Sequence, residues 1–358
     1  MENNDLFDFE LNEAEGFWSI TGYYGKGEKV VFPAAYEGKP VKKIEDGFSP
    51  YYKRIKRVTI PEGYTSIGRR AFLRCTGLRE IKLPESLTFI GESAFFDCMG
   101  LTEIKFPESL ASVEWNVFGG CTGLTNVKIP ESLTSIGNYV FEGCTELTEI
   151  SVDENNPVFR SVDGVMFDKA MTTLLCFPEG RKGVYSVPEG IISIKSGAFD
   201  NCNLTGISFP QSLLFIEIHW DNCKQLADIT VNEHHPNYCS IDGVLFDKEC
   251  RTLLKYPRNK DKTDYAVPDG IMSIANFAFY GCKRLVNIVF PESLEIIRDY
   301  AFWNCEGLKD ITLPMSLQYV GEGAFKDCPN LETVTLSKKT RIVYEAFEGF
   351  KGRLIYRD

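Results

Sequence analysis

From Leu78 onward the chain repeats one hydrophobic pattern in steps of 23 residues: "LREIKLPESLTFIGESAFFDC", "LTEIKFPESLASVEWNVFGGC", "LTNVKIPESLTSIGNYVFEGC". The anchors Leu78, Leu101, Leu124 and Leu147 keep that step, and Leu285, Leu308 and Leu331 keep it again; Leu204 to Leu226 is one residue shorter. Within a copy, Ile81, Lys82 and Leu83 alternate apolar and polar, which predicts a short strand with one face buried. Pro follows, as at Pro84, Pro107, Pro130, Pro210, Pro291 and Pro314. It has no N–H to donate and a preset φ, so it ends the strand and opens a turn. Leu87 and Ile90 are expected to point back inside. The compact stretch ending in Ala-Phe, as at Ala94 and Phe95, reads as a short helical or 3₁₀ turn carrying an aromatic plug. Gly follows the second Ile only at Gly68, Gly91, Gly137 and Gly321, while other copies hold Glu114, Lys195, Glu217, Ala275, Arg298 or Val343. An ordinary φ is therefore expected there.

A single coil of this length exposes both of its flat sides and cannot repay the entropy of its own ordering. Stacking covers those sides and pairs each strand with its neighbours. The predicted fold is a β-rich solenoid, a leucine-rich repeat right-handed superhelix with a parallel β-sheet and short helical or 3₁₀ turns.

A longer period overlies the short one. "VDENNPVFRSVDGVMFDKAMTTLLCFP" begins at Val152, and "VNEHHPNYCSIDGVLFDKECRTLLKYP" begins 79 residues later at Val231. Asp163-Gly164 and Asp242-Gly243 sit between β-prone residues, a strong hairpin signal, and a second turn follows at "FDKAM" and "FDKEC". Each excursion reads as a β-hairpin insertion, over about residues 152–183 and 231–263. The remaining organisation predicted is an N-terminal β cap with a first divergent repeat over residues 1–50, the solenoid over 51–350, and a closing strand over 351–358. Strand-bearing caps are needed because unpaired sheet edges template aggregation.

Composition removes function classes. The chain has 358 residues, with 50 Asp and Glu against 39 Lys and Arg, a net charge of −11. That balance argues against nucleic acid and against anionic membranes, both of which need a positive surface. No run of 18 apolar residues exists, so no helical membrane span is expected. The N-terminal "MENNDLFDFELNEAEGFW" lacks the basic start and apolar run of a secretory signal. That fits either a cytoplasmic protein or a mature chain whose signal was replaced by Met.

Nine of the twelve Cys recur at one repeat position: Cys75, Cys98, Cys121, Cys144, Cys202, Cys223, Cys282, Cys305 and Cys328. Such a ladder predicts small buried side chains, with disulfides the lesser reading. Cys176, Cys239 and Cys250 fall outside it. No C-x-x-C pair occurs, and no zinc site is expected.

Three His are present. His234 and His235 in "NEHHP" are expected as a solvated loop pair, and His219, with Trp220, replaces the usual Ala-Phe. No nucleophile-elbow, phosphate-loop or zinc-protease motif is found. The carboxylates Asp153 and Glu154 lie in a loop. No catalytic, cofactor or metal residue is predicted. An enzyme using the excursions as a lid would need a deep pocket with clustered carboxylates beside residues 152–178.

Surface remains. The outward strand position holds Lys82, Lys105 and Lys128, then Ser151, Ser208, Thr230, Val289, Thr312 and Thr335. Two residues earlier stand Glu80, Glu103, Asn126 and Glu149. In-register stacking would set these in adjacent columns about 4.8 Å apart per coil. The columns serve either as charge-compensated solvent surface or as a striped binding face, charged in the first half and Thr-rich in the second. Trp115 and Trp303, beside the Phe turns, read either as exposed anchors or as residues packed between coils, and the packed reading is the one expected.

The consensus, with "NPVFRSVDGVMFDK" and "LLCFP", resembles the BspA-type leucine-rich repeat proteins over essentially the whole chain. The resemblance implies an extracellular or cell-surface bacterial protein. It further implies a non-enzymatic binding or adhesion role toward a protein or glycan partner; a monomer without cofactor is expected. The alternative is an intracellular protein-interaction scaffold.

Overall fold

A computed structural model describes residues 3–46, 53–216 and 223–358. His219, Trp220 and Glu217 lie outside the described residues. The chain divides into two compact units, Met1–Arg181 with Lys195–Asn201, and Lys182–Ile194 with Cys202–Asp358.

Each unit is a parallel β-solenoid. In the first, the predicted strands form at Arg57–Thr59, Glu80–Lys82, Glu103–Lys105, Asn126–Ile129 and Glu149–Val152. They bury the central Val or Ile and expose its neighbours. Glu80–Lys82 closes one three-stranded ladder, and Glu103–Lys105 opens the next. Each coil also carries a second, two-residue strand that the alternation did not announce: Ser66–Ile67, Phe89–Ile90, Ser112–Val113 and Ser135–Ile136. These extend a parallel sheet that starts at Phe17–Tyr23 and Lys39–Ile44, with Phe7–Asn12 antiparallel at its outer edge.

The second unit repeats the scheme. Ser273–Ile274, Ile296–Ile297, Tyr319–Val320 and Arg341–Ile342 make the short-strand sheet. On a separate three-stranded sheet, Arg353–Arg357 pairs in parallel with Thr333–Ser337.

The Pro-Glu-Ser turn binds coil to coil. The Ser109 hydroxyl donates to the Leu87 carbonyl at 2.8 Å, and Ser132 to Leu110 at 2.7 Å. In the second unit Ser293 donates to Ile271 at 2.9 Å. The Glu85 carboxylate accepts from the Glu108 N–H at 3.0 Å, one coil on. These bonds satisfy turn amides and carbonyls that strand pairing leaves over.

The Ala-Phe stretch is not helical. It is a chain of turns, broken by two left-handed residues, one two positions before the Phe and one two positions after. Ser93 and Asp97 (φ 54° and 59°) flank Phe95, Asn116 and Gly120 (56° and 72°) flank Phe118, and Tyr300 and Asn304 (56° and 58°) flank Phe302. A positive φ every four residues stops any α or 3₁₀ run. Instead the backbone reaches outward to the next coil: Phe95 N–H donates to Val117 O at 2.9 Å, and Phe118 N–H to Val140 O at 2.9 Å.

This brings the Phe rings into stacked columns. Centroids are 5.2 Å apart for Phe72–Phe95 and 5.4 Å for Phe95–Phe118 in the first unit. They are 4.6 Å for Phe279–Phe302 and 5.0 Å for Phe302–Phe325 in the second.

The ladder Cys are buried free thiols, and they do more than fill space. Cys98, Cys121 and Cys144 each donate S–H to the carbonyl of the Phe one coil back (Phe72, Phe95, Phe118), all at 3.2 Å. Cys305 does so to Phe279 at 3.0 Å. Burial pushes Cys75 and Cys282 up to about 12, which keeps these two thiols protonated and unreactive.

Gly68, Gly91, Gly137 and Gly321 have ordinary φ, as expected. What Gly provides there is close approach: a Cβ on Gly137 would sit 2.5 Å from the Trp115 nitrogen in the preceding coil.

Each excursion is a three-stranded antiparallel meander. Phe159–Val162, Val165–Asp168 and Thr173–Cys176 form the first, and Tyr238–Ile241, Val244–Asp247 and Thr252–Lys255 the second. Asp163-Gly164 (φ 47° and 69°) and Asp242-Gly243 (49° and 70°) make the left-handed pairs of type I′ turns. The hairpin tips cap the longer ladders: Ile150 N–H donates to Gly164 O at 2.9 Å and Ile229 N–H to Gly243 O at 3.0 Å.

Candidate functional site

Strand alternation turns Glu80, Lys82, Glu103, Lys105, Asn126, Lys128 and Glu149 to solvent in the first unit. The register aligns Glu103 with Asn126 and Lys105 with Lys128, then Asn126 with Glu149 and Lys128 with Ser151. Glu103, Lys105, Asn126 and Lys128 thus share a groove of about 360 Å³, floored by Phe106 and Pro130. Lys82 and Glu80 lie on the neighbouring ladder, with Lys82 Nζ 3.9 Å from Glu80. Lys128 Nζ reaches Asp153 at 3.6 Å. In the second unit Thr230 aligns with Ser208, and Thr312 with Thr335, on separate ladders. Thr230 and Thr312 are exposed and Thr335 half-buried. The Thr column is therefore discontinuous, whereas Lys105 and Lys128 are direct neighbours.

A second exposed feature was only half visible in the sequence. Phe277, Tyr280, Tyr300 and Trp303 form a half-buried aromatic cluster on the turn side of two successive coils. Phe277 stacks on Tyr300 at 5.3 Å, and Tyr280 lies 4.9 Å from Trp303. Arg258 sits over Tyr280 at 5.3 Å. Trp303 packs between coils as expected, but Trp115 is 45% exposed.

A small cavity of about 100 Å³ lies under the first meander, lined by Val140, Phe141, Phe159, Met166, Phe177 and Glu179. Glu142 and Asp200 also reach it. Burial pushes the Glu179 carboxyl up to about 7, and its Oε1 accepts from Gly143 N–H at 2.7 Å. The Glu142 carboxyl is raised by burial and by Asp200. This is the place where a lid-covered active site was conceivable. Its volume is below the roughly 300 Å³ at which ligand pockets begin. The thiols nearest Glu179 are also raised rather than activated: burial holds Cys144 well up and Cys176 at about 12. Glu179 serves the turn amide of Gly143 instead.

His234 and His235 part company. His234 is exposed, while His235 is fully buried, which corrects the solvated-pair reading. His235 Nδ1 accepts from the Asn237 and Tyr238 amides at 3.1 and 3.2 Å. The Leu213 carbonyl lies on its other side without closing a full hydrogen bond. Asn156 holds the equivalent place in the first meander. It accepts from Val158 and Phe159 at 3.0 and 2.8 Å and donates to Pro130 O and Leu133 O at 2.8 and 2.9 Å. Asn156 thus pins the first meander to the coil before it, whereas the His235 bonds stay within the second. Among the described residues no three His, Cys, Asp or Glu side chains converge on a metal position. Among the described residues no helix is long and apolar enough to cross a membrane.

Two solved structures share the fold. A leucine-rich cell surface protein of Faecalibacterium prausnitzii A2-165 is 23% identical, with a TM-score of 0.58 over 99% of this chain and 94% of that one. The pneumococcal vaccine antigen PcpA is 20% identical, with a TM-score of 0.50 over 99% of this chain and 87% of that one. No curated protein matches the chain. The family model described as the BspA type leucine rich repeat region matches six copies, over residues 42–162, 184–256 and 256–355. With that span matched, and with Pro-turned, Phe-stacked and Cys-laddered coils beneath it, the chain belongs to the BspA-type leucine-rich repeat family.

Proposed function

We propose that this chain is a bacterial surface-binding protein whose outward strand face takes a protein or glycan partner. The observation that carries the reading is the groove between Glu103, Lys105, Asn126 and Lys128, where both signs of charge flank the apolar floor of Phe106 and Pro130. Solvated surface ion pairs add little to stability, so these side chains remain available to a ligand. Lys105 and Lys128 stand side by side in register and would meet a carboxylate or sulfate group of the partner, while Asn126 and Glu103 supply amide and carboxylate contacts. The family and the fold shared with a cell surface protein support placement outside the cell; fractionation of the source organism separates this from an intracellular scaffold.

The test is binding of the full chain to arrays of host extracellular-matrix proteins and of glycans, with K105E/K128E beside the wild type. The expected result is at least one specific ligand whose affinity drops roughly tenfold or more in the double variant, a loss of about 1.4 kcal/mol. Binding that is unchanged by the double reversal, or absent from both arrays, overturns the assignment of this face.

A further inference from the structure

We propose that Cys239 and Cys250 are a disulfide-forming pair that staples the second meander. Their Sγ atoms are 3.0 Å apart, closer than two sulfurs rest in ordinary van der Waals contact. They differ from the ladder thiols in setting: both are half-buried rather than buried, so a small disulfide can reach them.

The meander builds the proximity. Cys239 lies on Tyr238–Ile241, opposite Phe246 in the antiparallel ladder. Beyond that ladder the chain turns tightly on Asp247. Its Oδ1 accepts from the Arg251 and Thr252 amides at 2.8 and 2.9 Å, and its carbonyl accepts from Cys250 N–H at 3.0 Å. The turn leaves Cys250 left-handed (φ 51°), with its sulfur over Cys239.

The first meander has the same frame. Asp168 Oδ1 accepts from Thr172 and Thr173, and Met171 has φ 57°. There, however, Arg160 and Met171 hold the two positions. The thiol pair is therefore an addition to one meander and not a consequence of the repeat. Tyr238–Ile241 is also the outermost strand of its seven-stranded sheet, where a covalent tie to the following turn would hold an otherwise open edge.

The bond forms by exchange with a small-molecule disulfide such as oxidised glutathione. Cys250 sits on the turn rather than within the ladder and opens the reaction. Its sulfur attacks the small disulfide, forming a mixed disulfide and releasing one small thiol with the Cys250 proton. The Cys239 sulfur then displaces the second small thiol, which carries off the remaining proton. The protein loses two electrons and two protons, and the small disulfide gains both.

The test treats folded, fully reduced full-length chain with oxidised glutathione, then measures intact mass and maps linked peptides under non-reducing conditions. The expected product has lost two hydrogens, carries a Cys239–Cys250 cross-link, and releases ten of its twelve thiols on denaturation. Dithiothreitol restores all twelve. C239S and C250S each abolish the loss, and C176S leaves it intact. An unchanged mass, a stable glutathione adduct without closure, or a cross-link mapped to other cysteines in the wild type overturns the proposal, and the wild-type map decides it even where a variant folds poorly.

Discussion

Burial pushes Glu179 and His235 toward their uncharged forms, with opposite consequences for pH. The Glu179 carboxyl stands at about 7 against an ordinary 4.5. Between those values the native chain keeps a proton that the unfolded chain has lost. Its share of stability is full below 4.5 and is lost as pH rises through 7. Gln in place of Glu fixes the neutral form and keeps the acceptor for Gly143. E179Q is therefore expected to match wild type near pH 4.5 and to exceed it above pH 7, by up to about 3 kcal/mol, read from urea denaturation across the range. His235 runs the other way. Burial lowers it from an ordinary 6.5, so the unfolded chain protonates first as pH falls, and stability drops from about 6.5 down to the lowered native value. H235N copies the fully bonded Asn156 of the first meander and removes that loss; an acid-side slope unchanged in H235N would show that the ring is not the group responsible.

At the scale of one coil, the central interaction is the Phe stack with its Cys–carbonyl bond. Phe118 lies between Phe95 and Phe141, at 5.4 and 5.9 Å. F118A is expected to cost about 3–5 kcal/mol, and F118L less than about 2. A double-mutant cycle with Phe95 should recover about 0.5–1.5 kcal/mol of coupling from the aromatic pair. Much of this coil was legible beforehand. Alternation at Ile81 and Leu83 and the stop at Pro84 located the first strand, and the same alternation turned Lys82, Lys105 and Lys128 outward. The turn type was not read correctly, although half its signal was present. Asp97, Gly120, Gly143, Asn201, Gly281, Asn304 and Asp327 are all residues that tolerate a left-handed φ, with Arg74 the exception among these copies. The other left-handed position gave a weaker hint, because Asn116, Gly197 and Gly323 occupy it in some copies but Arg70, Tyr139, Phe277 and Tyr300 in others, the latter at a cost of roughly 1–3 kcal/mol each that stacking must offset. His235 looked like loop surface for want of periodicity, and only its alignment with Asn156, 79 residues earlier, pointed inward. The Cys239–Cys250 contact depends on a turn whose geometry no spacing rule conveys.

Taken as a whole, each unit is held by contacts between successive coils, and its strands, stacked rings, thiols and hydroxyls all bond one coil away. Stability in such an array is close to a sum of coil terms and nearest-neighbour interface terms. The consequence is a tolerance that closed folds lack. Removing residues 101–123 joins Gly100 to Leu124 and takes out one complete coil. It brings Phe95 against Phe141, Cys144 beneath the Phe95 carbonyl, and Glu80–Lys82 beside Asn126–Ile129, each contact being of the kind already present. This deletion should keep the β-sheet circular dichroism and a cooperative melt, with the midpoint lowered by no more than about 10 °C. Removing residues 101–112 instead deletes about half a coil. It places the Phe118 turn where the strand of the next coil belongs, so ring stacks on strand and ladder amides lose their partners. That variant should lose the cooperative transition. If the two deletions prove equally damaging, the coils are not interchangeable and long-range contacts hold the first unit together; if both fold alike, the register of Phe and Cys is not what specifies the stack.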